Sequence, residues 1–295
     1  MKLGVQLPEI ERVVRWPELA AMARAIEAGG FDSIWVGDHL LFRHADGVSG
    51  PWDVWSILAA VAAITDRVTL GPLVAAVPFH NPAMLAKQVS AIQEISEGRL
   101  SFGVGAGWNR DEFAAFGLPF DRRVERFEDS IGVIRRLLDG ETVTHQSEFV
   151  SLQDCVLKPE SRFGPAPVFV GSNSPRMLSL TLPWVQGWNS WFASFDNDLD
   201  QLKTLVSGVD DACARAGRDP ATLERSVALL VQFGPERSTG RGPKPWRGTA
   251  SQLAERMKQV ASAGIHHVQL ILDPISVESI EAAAEMLDEL GPQSR

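Results

Sequence analysis

Short runs of apolar and β-branched residues recur along the chain, each separated from the next by room for one helix. Strands are predicted near Leu3–Leu7, Ser33–Gly37, Val68–Val77 and Leu100–Ala106, then near Pro167–Gly171, Gly187–Trp191, Ser226–Phe233 and His266–Leu272. The segments between them carry helical spacing instead. After Pro17, a residue suited to a first helical turn, Leu19, Met22, Ala23 and Ile26 fall on one face, and Gly29-Gly30 ends the run. Phe127, Ile131, Ile134 and Leu138 form a second stripe ahead of Gly140, and Ile280, Ala283, Ala284 and Leu287 form the last. Thr249 and Gln252 have capping-box spacing before Leu253, Met257 and Val260.

Strands this continuously apolar are buried on both faces, which implies parallel pairing with helices outside. Eight such repeats in 295 residues predict an α/β fold closed as a (β/α)8 TIM barrel, one domain over 1–295. An open doubly wound sheet would carry a glycine-rich turn after the first strand, where this chain reads Gln6-Leu7-Pro8-Glu9. Two stretches break the rhythm. Residues 140–165 are polar and contain proline, and a small hairpin or excursion is expected there. Residues 234–248 are rich in glycine, proline and basic residues, with Arg237, Arg241, Lys244 and Arg247 against Glu236; a loop is expected, and a lid is the sharper alternative.

Composition narrows the partners. A net charge of −9 repels nucleic acid and anionic membrane, which leaves a small-molecule substrate as the expected partner. Cys155 and Cys213 are too few for a disulfide framework or a cysteine-built metal site, and unpaired thiols fit a reducing, cytoplasmic compartment. No leader pattern opens the sequence, and no apolar run approaches the ~20 residues of a membrane span. Tyrosine is absent, so a catalytic acid has to be histidine, a carboxyl group or solvent.

In a barrel of this kind, chemistry gathers at the carboxyl ends of the strands. Those positions hold Asp38-His39, Pro78-Phe79-His80-Asn81, Trp108-Asn109, Ser172-Asn173-Ser174, Trp191, Gln232 and Asp273. The set is aromatic and amide-rich, suited to a flat conjugated ring. None of the six lysines falls at a strand's carboxyl end, so Schiff-base chemistry fits poorly. No histidine–carboxylate cluster appears for a metal, since His266-His267 open the eighth strand at the opposite end. A glycosidase-type hydrolase would have to rely on Asp38 and Asp273. Gly171-Ser172-Asn173-Ser174-Pro175-Arg176 has the make-up of a phosphate cradle at a helix start, or of an ordinary capped turn.

At these residues the chain resembles the luciferase-like monooxygenase superfamily, in its branch that uses the deazaflavin coenzyme F420. The matching runs are Gly4–Pro8, Ala28–His39, Thr65–Gly71, His80–Ala83 and Ser96–Leu100. They continue with Gly103–Trp108 leading to Glu112, then Gly117–Phe120, Arg122–Glu128 and Gly187–Asn189. The resemblance implies an enzyme binding coenzyme F420, with FMN as the alternative. It implies that the ring lies against a bulge in the third strand, with a non-proline cis peptide at Leu73-Val74. It further implies that Asp38 and His39 meet the reactive edge, that Trp108 and Asp111 line the fourth loop, and that Gly171, Ser172, Asn173 and Ser174 hold the phosphate. Pro72 departs from the family pattern, and Trp108 stands where relatives acting on glucose 6-phosphate have glutamate.

The expected reaction is therefore hydride transfer between F420 and a small, apolar organic substrate. His39 is the candidate proton carrier, with Asp38 orienting it or touching the ring. Gln6, Trp52, Phe79 and Trp191 are the candidate substrate pocket, with Trp55 and Trp188 as further aromatics and about half of the tryptophans assigned to core. Within the same fold the rival is an FMN-dependent monooxygenase fed by a separate reductase; a non-catalytic flavin carrier is a further alternative. A homodimer is what the family implies.

Overall fold

A computed structural model describes residues 1–45, 47–233 and 243–291 of the chain. In chain order the first elements are β1 (Lys2–Gln6), α1 (Trp16–Ala28), β2 (Ser33–Val36), β3 (Phe42–His44) and β4 (Gly47–Ser49). Next come α2 (Val54–Ile64), β5 (Thr69–Pro72), β6 (Ala75–Ala76), α3 (Pro82–Ile95), β7 (Phe102–Gly105), α4 (Arg110–Ala115) and α5 (Arg123–Leu138). β8 (Val143–Gln146), β9 (Ser151–Cys155), β10 (Val168–Gly171), α6 (Pro175–Thr181), β11 (Gly187–Ser190) and α7 (Leu199–Arg215) follow. The chain then runs through β12 (Glu224–Phe233), β13 (Trp246–Gly248), α8 (Ala250–Ser262), β14 (His267–Leu272) and α9 (Val277–Leu290). Most of the expected loop at 234–248 lies outside the described residues, including Glu236, Arg237 and Arg241.

The chain packs as two compact units. The first comprises Met1–Leu7, Val14–Trp35 and the chain from Phe169 onward. Its strands β2, β1, β14, β12, β11 and β10 pair side by side in that order, all parallel. Gly4 sits opposite Ser33, and a Cβ there would meet Ser33 Oγ at 1.9 Å, so only glycine lets the two strands approach. Every residue of β14 is buried, as parallel strands require. His267, at the start of β14, bonds Ser33 Oγ at 2.7 Å, and its burial pushes the imidazole down to about 3, so it stays neutral.

The second unit comprises Pro8–Val13 and Val36–Val168. β6 and β7 pair in parallel, Ala75 opposite Val104, and a parallel bridge joins Leu70 to Leu100. The third predicted strand is split: β5 ends at Pro72, the Leu73-Val74 peptide is cis, and β6 resumes at Ala75. Two antiparallel hairpins are added, β3 with β4 and β8 with β9. The second lies inside the polar stretch 140–165; the first has no counterpart in the periodicity.

Helical faces follow the predicted stripes. α1 buries Leu19, Met22, Ala23 and Ile26, and the Thr249–Gln252 capping box is formed. In α5 Phe127, Ile131 and Ile134 are buried as expected, while at the last turn Leu137 is inside and Leu138 only half-buried.

Candidate active site

The site residues nearest one another all belong to the second unit and are placed by the turn that leaves β2. Gly37 follows the strand because the Glu9 carboxyl packs onto it: a Cβ there would meet Glu9 Oε1 at 1.6 Å. Asp38 is 5% exposed. Its Oδ2 accepts the Ala76 amide at 2.9 Å and pairs with His80 Nε2 at 2.7 Å. This buried carboxylate therefore ties the turn to the end of β6, where its charge is met by two donors. Orientation of His39 by Asp38, one of the two roles expected for it, is not what the structure has.

Glu112 holds His39 instead. It lies in the first turn of α4, a helix capped by Asn109, whose side chain accepts the Asp111 amide at 3.2 Å. The Glu112 side chain is 1% exposed, against 21% for that of His39. Oε1 accepts the Leu40 amide at 2.7 Å and the Leu41 amide at 3.3 Å. His39 Nδ1 lies 3.0 Å from Oε1 and 3.1 Å from Oε2. A carboxylate offers only acceptors, so Nδ1 carries the hydrogen in this pair and Nε2 is left for other partners. The imidazole edge meets Phe42 with ring centres 4.7 Å apart and Trp108 at 5.9 Å.

Electrostatics set the protonation of the cluster. Burial alone would push the His39 imidazole down. The Glu112 hydrogen bond and the charges of Glu9, Glu112 and Asp38 outweigh it and hold the pKa above 6.5. Glu9 goes up to about 7, mainly because its carboxyl is desolvated, with help from the charges of Glu11, Glu112 and Asp38 and against the pull of His39. The residue keeps partial exposure over its whole surface, but the carboxyl end is the packed part, as the Gly37 contact shows.

The other predicted residues of this unit are placed as follows. Leu73 is buried and Val74 half-buried at the bulge, directly before the small pair Ala75-Ala76. Trp108 is 65% exposed, and Asp111 is exposed on α4. Phe79 packs edge-on to Phe113 at 4.7 Å. Trp52 is 48% exposed ahead of α2. Trp55 is core, with its ring against His80 and Phe102. A groove of about 490 Å³ in this unit is lined by Glu125, Glu128, Asp129, Arg136 and His145 among others, and contains none of the predicted residues.

In the first unit, Gly171 ends β10 and Ser174 caps α6, accepting the Met177 amide at 3.3 Å. Pro175 follows at the first helical position and brings no N–H. Asn173 donates to Ser190 Oγ at 2.9 Å, while its Oδ1 is buried without a donor. The Ser172 carbonyl is held by the buried Trp188 indole at 3.0 Å. Two serine hydroxyls beside an unmet amide acceptor fit a tail that carries both hydroxyls and phosphate, such as that of a flavin-type cofactor. Gln6 is buried at the end of β1, and Trp191 is half-buried, tilted onto Phe192 at 4.7 Å.

Sequence reasoning singled out neither Glu9 nor Glu112 for a role. Asn109 and Glu112 do have capping spacing, but the glutamate reaches another loop instead of its own helix start. Among the described residues no His, Cys, Asp and Glu group could hold a metal ion, and no helix is long and apolar enough to cross a membrane.

Residues 3–239 match the family model for luciferase-like monooxygenases. A 5,10-methylenetetrahydromethanopterin reductase from Archaeoglobus fulgidus is 30% identical over 245 residues, which is 82% of this chain and 67% of that protein. An F420-dependent secondary alcohol dehydrogenase, solved with an F420-acetone adduct, superposes with a TM-score of 0.82 at 18% identity, over 98% of this chain and 99% of that one. A riboflavin lyase solved with modified FMN and riboflavin gives 0.82 at 14% identity, over 98% and 91%. The chain belongs to the luciferase-like monooxygenase family, a family of enzymes, and has the α/β TIM-barrel fold expected from its sequence.

Proposed function

We propose that this protein is an F420-dependent oxidoreductase that moves a hydride between the deazaflavin and a small, largely apolar organic substrate. When bound, the deazaflavin supplies the hydride chemistry, because carbon stands where a flavin has its N5 nitrogen. The chain supplies a proton carrier, a bed for the ring and a holder for the tail.

His39 is the proton carrier, acting at Nε2. One observation carries this reading: Nδ1 is committed to a buried carboxylate, leaving Nε2 on a ring that is still part-exposed beside Trp108. Asp38 keeps its place near the ring as an anchor for His80 and the end of β6. The bulge at Leu73-Val74 is the bed for the ring, Trp108 and Asp111 flank it, and Gly171, Ser172, Asn173 and Ser174 take the tail. Trp52 and Phe79 in the second unit, and Gln6 and Trp191 in the first, are the residues assigned to the substrate, and the three aromatic rings among them favour an apolar one. A homodimer belongs to the same reading. The F420 named for the alcohol dehydrogenase supports this choice of cofactor. The FMN named for the riboflavin lyase keeps an FMN-dependent monooxygenase, fed by a separate reductase, as the competing outcome.

The proton-transfer role is tested with His39→Ala. Turnover should fall by about 100-fold or more, while affinity for F420 changes by no more than about threefold. Equal losses in both would reassign His39 to cofactor binding.

A further inference from the structure

We propose that Glu112 is a positioning residue: it fixes His39 as the Nδ1–H tautomer and clamps the loop that carries it, so that Nε2 is the nitrogen that exchanges a proton with the substrate. The catalytic half of this proposal rests on the hydride-transfer reading above; the tautomer half stands on geometry alone.

Three observations converge on Glu112. Its side chain is 1% exposed, so it needs partners on all sides. All the partners assigned to it come from one loop: the Leu40 amide at 2.7 Å, the Leu41 amide at 3.3 Å and His39 Nδ1 at 3.0 Å. The same turn of α4 reaches that loop a second time, because Asn109 Nδ2 donates to the Leu41 carbonyl at 3.3 Å. A carboxylate that accepts from two successive amides and an adjacent ring nitrogen can neither rotate nor offer a hydrogen. His39 must therefore present Nδ1–H to it.

The chemical consequence follows from the second ring nitrogen. An imidazole held in this tautomer has a lone pair at Nε2, ready to take a proton from a hydroxyl and return it in the reverse reaction. With the deazaflavin bound to accept the hydride from the substrate C–H, Nε2 would take the proton from the substrate oxygen, and the Glu112 carboxylate would face the imidazolium that results. The charged groups facing His39 are Glu112 from α4, Glu9 from the β1–α1 loop, with Glu11 beside it, and Asp38 from its own turn. Removing the Glu112 charge removes one of the influences that hold the imidazolium up. Glutamine at this position still accepts from the Leu40 amide. Its amide also offers an N–H toward Nδ1, which selects the opposite tautomer and blocks Nε2 with a hydrogen.

The test is nitrogen NMR of the His39 ring in the cofactor-free protein, for wild type and Glu112→Gln, with kinetics on the loaded enzyme. Wild type should show Nδ1–H and unprotonated Nε2 in the neutral form. In Glu112→Gln the ring should move toward Nε2–H, and its titration should move to lower pH. Turnover should drop by about 100-fold or more, and the pH limb of kcat/KM should shift with the ring. A wild-type ring found as Nε2–H would overturn the proposal, as would a Glu112→Gln protein with unchanged His39 titration. If Glu112→Gln fails to fold, the wild-type tautomer decides alone. Failure to bind F420 would sink the hydride-transfer reading but leave the tautomer result standing, so the two failures are distinct.

Discussion

Glu9 faces Asp38, His39 and Glu112, and loss of solvent around its carboxyl pushes its pKa up to about 7 from 4.5. An acid whose folded-state pKa is raised contributes its full stability below the unfolded value, and that stability is lost as pH rises toward the folded one. Glu9→Gln should therefore be more stable than wild type at pH 8, by about 1–3 kcal/mol, and should lose the advantage below pH 4.5. The same change withdraws a charge that holds His39 up, so His39 should titrate at lower pH in the variant. Urea unfolding at pH 4.5, 6 and 8 measures the first effect; a difference between the proteins that does not vary with pH would contradict it. This residue was invisible to sequence reasoning for a physical reason. Nothing in the order Leu7-Pro8-Glu9-Ile10 states that the loop folds back onto Gly37 and takes a carboxyl out of water. Glu112 was hidden differently. α4 is six residues long, too short for its periodicity to tell a buried face from an exposed one.

At the scale of elements, some of the runs that carried the family resemblance prove to be joints between elements. Arg99 is the clearest. Its guanidinium donates to Thr65 Oγ1 at 3.0 Å, the Val68 carbonyl at 2.8 Å, the Ala62 carbonyl at 2.9 Å and the Thr65 carbonyl at 2.7 Å. It thus meets the carbonyls left open at the end of α2 and holds the approach to β5, in a part-buried setting where each lost partner matters. Arg99→Ala should cost about 2–4 kcal/mol in urea unfolding and leave the chemistry of His39 alone. A loss below about 0.5 kcal/mol would show that solvent satisfies those carbonyls equally well. Helices α1, α5, α8 and α9 were legible because each buries a face that its own spacing announces, and the main strands because their unbroken apolar runs are buried on both sides. The split of the third strand and the β3–β4 hairpin were not legible as periodicity. A bulge after Pro72 interrupts one apolar run without changing its composition, and the 42–49 segment is too polar and short to alternate.

At the scale of the whole molecule, eight apolar strand segments separated by helices left few architectures open, and the barrel was readable from them. The chemistry was readable only in part. Charge and the positions of lysine and histidine argued against lysine, metal and nucleic-acid solutions, and the strand-end residues pointed to a flat ring. The choice between deazaflavin and flavin came from resemblance, because both rings ask for the same bed and the same phosphate turn. The measurement that tests this choice most directly is spectroscopic titration of the cofactor-free protein with F420 and with FMN, each oxidised and reduced. Saturable perturbation of the F420 spectrum, with FMN binding at least tenfold weaker in both redox states, is the expected result. Saturable binding of FMN with no response to F420 would contradict the central claim and make the protein a flavin enzyme.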